Sequence, residues 1–147
     1  MSRALAVLLG VGAGVLVGMQ APINARLGKT VGSIQAATFS FLVGTAVLLV
    51  VAVFVRGGLG TLGHVGKAPW WALVGGLLGA IFVTVALVAV RTLGASGLTA
   101  VVITGQLVIS VAIDRFGLLG VAKQNVGPSR IIGLLLLAAG VVLVVRR

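Results

Sequence analysis

Apolar residues run in long blocks along this chain, and short polar clusters separate them. Crossing about 30 Å of hydrocarbon takes roughly 20 apolar residues as a helix. Five blocks approach or exceed that length, at about residues 4–24, 34–55, 69–90, 97–115 and 130–145. The last is the shortest, and Pro128 extends it, because proline suits a first helical turn. The blocks do not alternate polar with apolar, so they do not read as barrel strands. The connections, 25–33, 56–68, 91–96 and 117–129, leave no room for a soluble domain. The second is glycine-rich (Gly57, Gly58, Gly60, Gly63, Gly66) and reads as a flexible turn. The pattern predicts an all-α integral membrane protein with five transmembrane helices in one transmembrane domain, 1–147. The first block lacks a convincing small-x-small cleavage site, so it reads as a span and not as a signal peptide.

Composition agrees. Of 147 residues, 60% are hydrophobic and 8% charged, against roughly a quarter charged in soluble domains. No cysteine is present, which removes disulfide frameworks, thiolate zinc sites and cysteine nucleophiles. One His and one acid, Asp114, leave too few groups for a protein-ligated metal centre or a carboxylate-pair enzyme. No catalytic site, metal or cofactor is expected. The stretch Thr61–Ala68 lacks the first glycine and the final Ser or Thr of a phosphate-binding loop, and Gly10-Val11-Gly12 lies inside an apolar helix.

Eleven Lys and Arg give a net charge of +10. They stand singly at block ends, where they mark membrane exits and favour anionic lipid at both rims. Nucleic acid requires a clustered basic face, which is missing. With five spans, the N-terminal side carries six bases (Arg3, Arg56, Lys67, Arg115, Lys123, Arg130) and the other side five (Arg26, Lys29, Arg91, Arg146, Arg147). Orientation follows an excess of cytoplasmic bases, and a difference of one sets almost none. Two readings follow: a weak N-inside bias, or dual topology with two copies paired antiparallel around an axis in the membrane plane.

Small residues recur at four-residue spacing: Gly10, Gly14 and Gly18; Gly32, Ala36, Ser40 and Gly44; Gly75 and Gly79. Such stripes let helices approach closely in lipid, within one chain or between two. Gly133 and Gly140 are candidates for a contact between subunits. Polar groups inside spans need protein or water around them. Thr99, Gln106, Ser110 and Asp114 share one face of the fourth span, with Gln106 about 14 Å along it from Gly97. That stripe reads as a wet path or as interhelical glue. Gln20 and Asn24 share a face around Pro22, as a solute site or as a capped helix exit. Asp114 is the only carboxyl; it is a candidate coupling or gating group, or an interfacial ion pair beside Arg115. His64 reads as solvated, and Trp70-Trp71 as an interfacial aromatic belt.

The run Gly18-Met19-Gln20-Ala21-Pro22-Ile23-Asn24-Ala25-Arg26-Leu27-Gly28 resembles the first-span signature of the YdcZ-like five-span family of the drug/metabolite transporter superfamily. Further matching pieces are Ser40-Phe41 with Gly44, Pro69-Trp70-Trp71 with Gly75-Gly76 and Gly79, Leu93-Gly94, Gly105-Gln106, Ile113-Asp114 with Phe116-Gly117, and Arg130 with Gly133 and Gly140. Thr92 departs from the commoner proline-containing turn. The resemblance implies a transporter-like fold in antiparallel dimers, here a ten-helix homodimer in a bacterial-type inner membrane with both orientations present. The four-span small multidrug resistance proteins are similar in design but use a carboxylate in span one, which this chain lacks.

The expectation is a secondary transporter, an exporter of a small solute, working by alternating access. Gln20, Asn24, Gln106, Ser110 and Thr99 line its path. The alternatives are a dual-topology ion channel and a non-transporting membrane subunit.

Overall fold

The computed structural model describes residues 1–55 and 58–146. The base Arg56, the loop glycine Gly57 and the terminal base Arg147 lie outside the described residues. Among the described residues every regular element is helical. In order they are α1 (Arg3–Val31), α2 (Ser33–Phe54), 3-10 stretches at Gly58–Lys67 and Trp70–Val74, α3 (Gly75–Phe116), a 3-10 turn at Leu118–Gly120, and α4 (Pro128–Val145). They form two compact units, Met1–Arg91 and Thr92–Arg147.

Among the described residues, four helical stretches are long and apolar enough to cross a membrane. One of them, Trp70–Phe116, has 47 residues, which at 1.5 Å per residue is about 70 Å, over twice the hydrocarbon thickness. Its backbone leaves helical geometry at Gly94, with φ 70° and ψ 171°. That conformation is essentially confined to glycine. Helix α3 therefore consists of two arms, 75–93 and 95–116.

Helix α1 opens on Ser2, whose hydroxyl accepts the Leu5 N–H at 3.2 Å. The helix does not end near Asn24, where the first apolar block stops. It runs through Pro22 to Val31, and Gly32 alone separates it from α2. Proline removes one N–H, so the Gly18 carbonyl loses its intrahelical partner. The good helix formers beyond it, Ala25, Arg26, Leu27 and Lys29, carry the helix on. At 29 residues it is about 44 Å long. Gly32, at φ 96° and ψ 154°, donates its N–H to the Gly28 carbonyl at 3.1 Å while its own carbonyl accepts from Ala36 at 3.0 Å.

In the first unit α1 and α2 pack near this joint, where Asn24, Ala25, Gly28, Ala36 and Ala37 are buried. The first arm of α3 closes the layer. Leu87, the largest fully buried side chain, reaches Gly28, and Phe41 of α2 reaches Gly79. In the second unit the end of α4 meets the start of the second arm of α3, since a Cβ at Gly97 would stand 3.8 Å from Val145. Asp114 and Arg130 meet at the other end, so the two helices run antiparallel. Helix α4 begins with Pro128 in its first turn.

Few large apolar side chains are buried by the chain itself. Leu16, Leu48 and Leu143 are 70%, 69% and 74% exposed. A surface of that kind is covered by lipid or by protein.

Alanine at Gly32 or Gly94 puts a side chain into a backbone conformation that costs of order 1–3 kcal/mol, and at Gly32 the new Cβ also collides with Oε1 of Gln35. Gly12 is helical with open space around it, so Gly12→Ala serves as the control that should not lose stability. Thermal unfolding in detergent is expected to drop clearly for the first two variants and not for the third.

Candidate functional site

The second unit holds a groove between the second arm of α3 and α4. It has a volume of 610 Å³, with apolar walls that include Ile103, Leu107 and Leu137. Ser110 and Asp114 face it from α3, and Arg130 and Gly133 from α4. The last turns of α3 and the loop behind them build its polar end. Helix α3 stops at Phe116 because Gly117 turns left-handed, at φ 66° and ψ 38°. The chain then folds back, and the Gln124 N–H donates to the Asp114 carbonyl at 2.8 Å. Arg130, in the first turn of α4, completes the arrangement. Its Nη1 donates to Asp114 Oδ2 at 3.0 Å, and its Nη2 donates to Gln124 Oε1 at 3.1 Å. The only acid of the chain is thus held by a base sixteen residues away, and not by its neighbour Arg115.

Of the polar stripe expected on this arm, the structure brings Ser110 and Asp114 into the groove. Gln106 is exposed on the helix surface, and Thr99 is half-buried near the start of the arm. Neither belongs to the groove lining. Among the described residues the Gln106 side chain makes no hydrogen bond.

In the first unit Gln20 and Asn24 separate. Gln20 is exposed, whereas Asn24 is 6% exposed and its Nδ2 has no hydrogen-bond partner among the described residues. A buried donor left unpaired costs about 1–3 kcal/mol, so Asn24 is a strained position within a layer otherwise made of small apolar residues. One turn further along α1, Arg91 of α3 lies over Gly28, where a Cβ would stand 2.9 Å from its Nη2.

A second groove, of 370 Å³, runs between α2 and the first arm of α3. Thr38, Thr45 and Thr84 supply its hydroxyls and Phe41 part of its wall. The Thr38 and Thr84 hydroxyls donate to the carbonyls of Ile34 and Ala80 at 3.0 and 2.8 Å. They are therefore satisfied within their own helices. Sequence reasoning passed over these threonines, and it passed over Arg91, Gln124 and Arg130 as site residues. A count of strongly polar positions within spans does not register helix-satisfied threonines, and residues at span ends were read as membrane anchors.

The small-residue positions divide as clearly. Ala36 is fully buried, a Cβ at Gly79 would stand 3.3 Å from the Phe41 ring, and Ser40 is half-buried. A Cβ at Gly10, Gly14, Gly18, Gly44, Gly75, Gly133 or Gly140 would meet nothing within 4 Å among the described residues.

The family model described as DMT_YdcZ, "Putative inner membrane exporter, YdcZ", matches residues 5–143. No curated protein and no solved structure matches the chain.

The clasp at the end of the second unit is partly exposed, with Arg130 and Asp114 side chains 44% and 27% accessible, so its net contribution is about 1 kcal/mol or less. Asp114→Asn and Arg130→Gln are each expected to lower the unfolding temperature slightly, and the double variant no further than the worse single one. The loss should shrink in high salt. Additive losses in the double variant, measured by thermal unfolding, would show that the two side chains act separately.

Proposed function

The chain belongs to the DMT_YdcZ family, and from that premise we propose that it is a secondary transporter, exporting a small solute as a dual-topology antiparallel homodimer by alternating access. Apolar helices and a family of inner-membrane exporters place the chain in a membrane; the pairing and the cycle are this proposal's own. Helices α1 and α2, the two arms of α3, and α4 provide five crossings per chain and ten per pair.

The observation that carries the reading is the exposure of Gln20, Gln106 and Ser110 on membrane helices. Amides and hydroxyls are costly against hydrocarbon and face protein or water instead. One chain leaves these groups uncovered, and a second copy turned over in the membrane supplies the missing wall and a wet path between the two. Thr99 and Asn24 belong to the same path. The open glycine stripe Gly10, Gly14 and Gly18 fits a close helix contact between copies, as do Gly133 and Gly140. The near-equal six-to-five division of bases lets either orientation insert. Bases at both rims favour anionic lipid on each side. Asp114 enters through its pair with Arg130, at the end of a groove, where breaking and remaking the pair would gate access.

A reporter fused to the C-terminus is expected to register on both sides of the membrane in comparable amounts. Adding two Lys to one connection should collapse the population to one orientation and abolish saturable counterflow in liposomes. Co-insertion with a chain biased the opposite way should restore it. Gln106→Ala should lower counterflow about two- to tenfold, the effect of losing one neutral hydrogen bond to a polar ligand, with thermal stability unchanged. A one-sided reporter together with full transport removes the inverted pair, and conductance that never saturates favours a channel.

A further inference from the structure

The far end of α1 meets the start of α2 and the first arm of α3 at a corner where bases gather without an acid, and the side-chain oxygen of Gln35, beside Gly32, is a neutral acceptor there. The Cβ position of Gly28 lies 2.9 Å from Nη2 of Arg91 and 3.6 Å from Cα of Ser33. The guanidinium therefore lies across the last turns of α1, beside the first residue of α2. Helix α2 has no side-chain cap at that end, which leaves first-turn N–H groups without a side-chain acceptor. One turn before Gly28, on the buried face of α1, Asn24 keeps an enclosed amide nitrogen with no partner. Arg26 and Lys29 stand on the exposed side of the same turns. No acid occurs in residues 1–91, and the one acid of the chain is engaged with Arg130. Among the described residues Arg91 has neither an ion pair nor a side-chain hydrogen bond.

We propose that this corner binds an oxyanion, the carboxylate or phosphate of a small solute or the phosphate of a lipid headgroup. Arg91 supplies the charge and a planar fork of N–H groups matched to two oxygens. The N-terminus of α2 adds its dipole. A cation is repelled here by three bases, and a neutral solute leaves the guanidinium unanswered. Gly28 makes the room, since any side chain there meets the guanidinium first. The step from this site to an oxyanion-bearing cargo rests on the transporter reading above, whereas the binding itself does not.

The test is equilibrium binding to the full chain, purified in uncharged detergent. Thermal unfolding is followed against sodium phosphate, with sodium chloride at matched ionic strength as reference, and separately against phosphatidylglycerol with phosphatidylcholine as reference. The wild-type chain is expected to be stabilised in at least one arm. Phosphate alone marks a solute site and phosphatidylglycerol alone a lipid site; either supports the proposal. Arg91→Gln should raise the half-maximal concentration about tenfold or more, the share of one charge-assisted hydrogen bond. Arg91→Lys should fall between the two, and Arg3→Gln, at the other end of α1, should leave it unchanged. Gly28→Ala keeps every charge and displaces the guanidinium, so it should weaken binding even where Arg91→Gln does not fold. No stabilisation of the wild-type chain in either arm overturns the proposal, as does an unchanged half-maximal concentration in both Arg91→Gln and Gly28→Ala. Because no transport or pairing is read, failure of the inverted-pair reading leaves this result standing, and the reverse holds too.

Discussion

Hydrocarbon offers no hydrogen bonds, so a chain crossing it must close nearly every backbone N–H and C=O within its own helices. That constraint decides where this protein can bend. The helices run long, and their breaks fall at Gly32, Gly94 and Gly117, each at positive φ. Each break has a consequence for side chains. Gly32 lets α2 start directly after α1, which brings its first turn beside Arg91. Gly117 turns the chain back so that Gln124 reaches the Asp114 carbonyl and Arg130 reaches its carboxylate. Arg91 and the Asp114–Arg130 pair thus lie close to bends, where the backbone stops consuming its own polar groups.

Hydrophobic blocks exposed most of the helical architecture in advance, including a last helix begun by Pro128. Helix α1 runs past the end of the first block, because hydropathy reports affinity for water and not helical geometry. Gln20, Asn24 and Arg26 are polar, yet the residues around them are good helix formers and the helix continues to Val31. The partner of Asp114 was hidden for a different reason. Arg115 is its sequence neighbour, but adjacent helical residues point about 100° apart and do not face one another. Arg130 comes from another helix, and no local spacing encodes that meeting. Gln20 and Asn24, equivalent by spacing, differ because α2 covers only the end of α1 that carries Asn24.

The glycines show what a sequence stripe leaves open. A four-residue repeat of small residues says that something approaches closely, not what. Gly28 and Gly79 are met by side chains of the same unit, whereas Gly10, Gly14 and Gly18 are met by none among the described residues. Each glycine inside a helix costs about 1 kcal/mol relative to alanine, so the three together cost about 3 kcal/mol with no close contact among the described residues of their own unit to offset it. A stripe of that cost is reasonable where another backbone packs on it, and lipid tails gain nothing from the missing side chains. This is the physical weight behind a second copy, and it is independent of the charge count.

An inverted pair of identical chains has a consequence for direction. Its two-fold axis lies in the membrane plane, so each donor corner around Arg91 and each clasp around Asp114 occurs once towards either side. The two faces of such a pair are the same surface. Conformations open to one side and to the other then have equal energy, apart from the membrane potential and lipid asymmetry, which suits alternating access. In the proposed pair the same symmetry would remove any built-in preference for inward or outward movement. Net export must then come from outside the fold, through the gradient of the solute itself, of an exchanged ion, or of voltage acting on a charged cargo at about 2.3 kcal/mol per charge per 100 mV. An oxyanion crossing a membrane negative inside would be driven outward by that last term, so the acid-free, base-rich corner of the first unit and the direction of an exporter are mutually consistent.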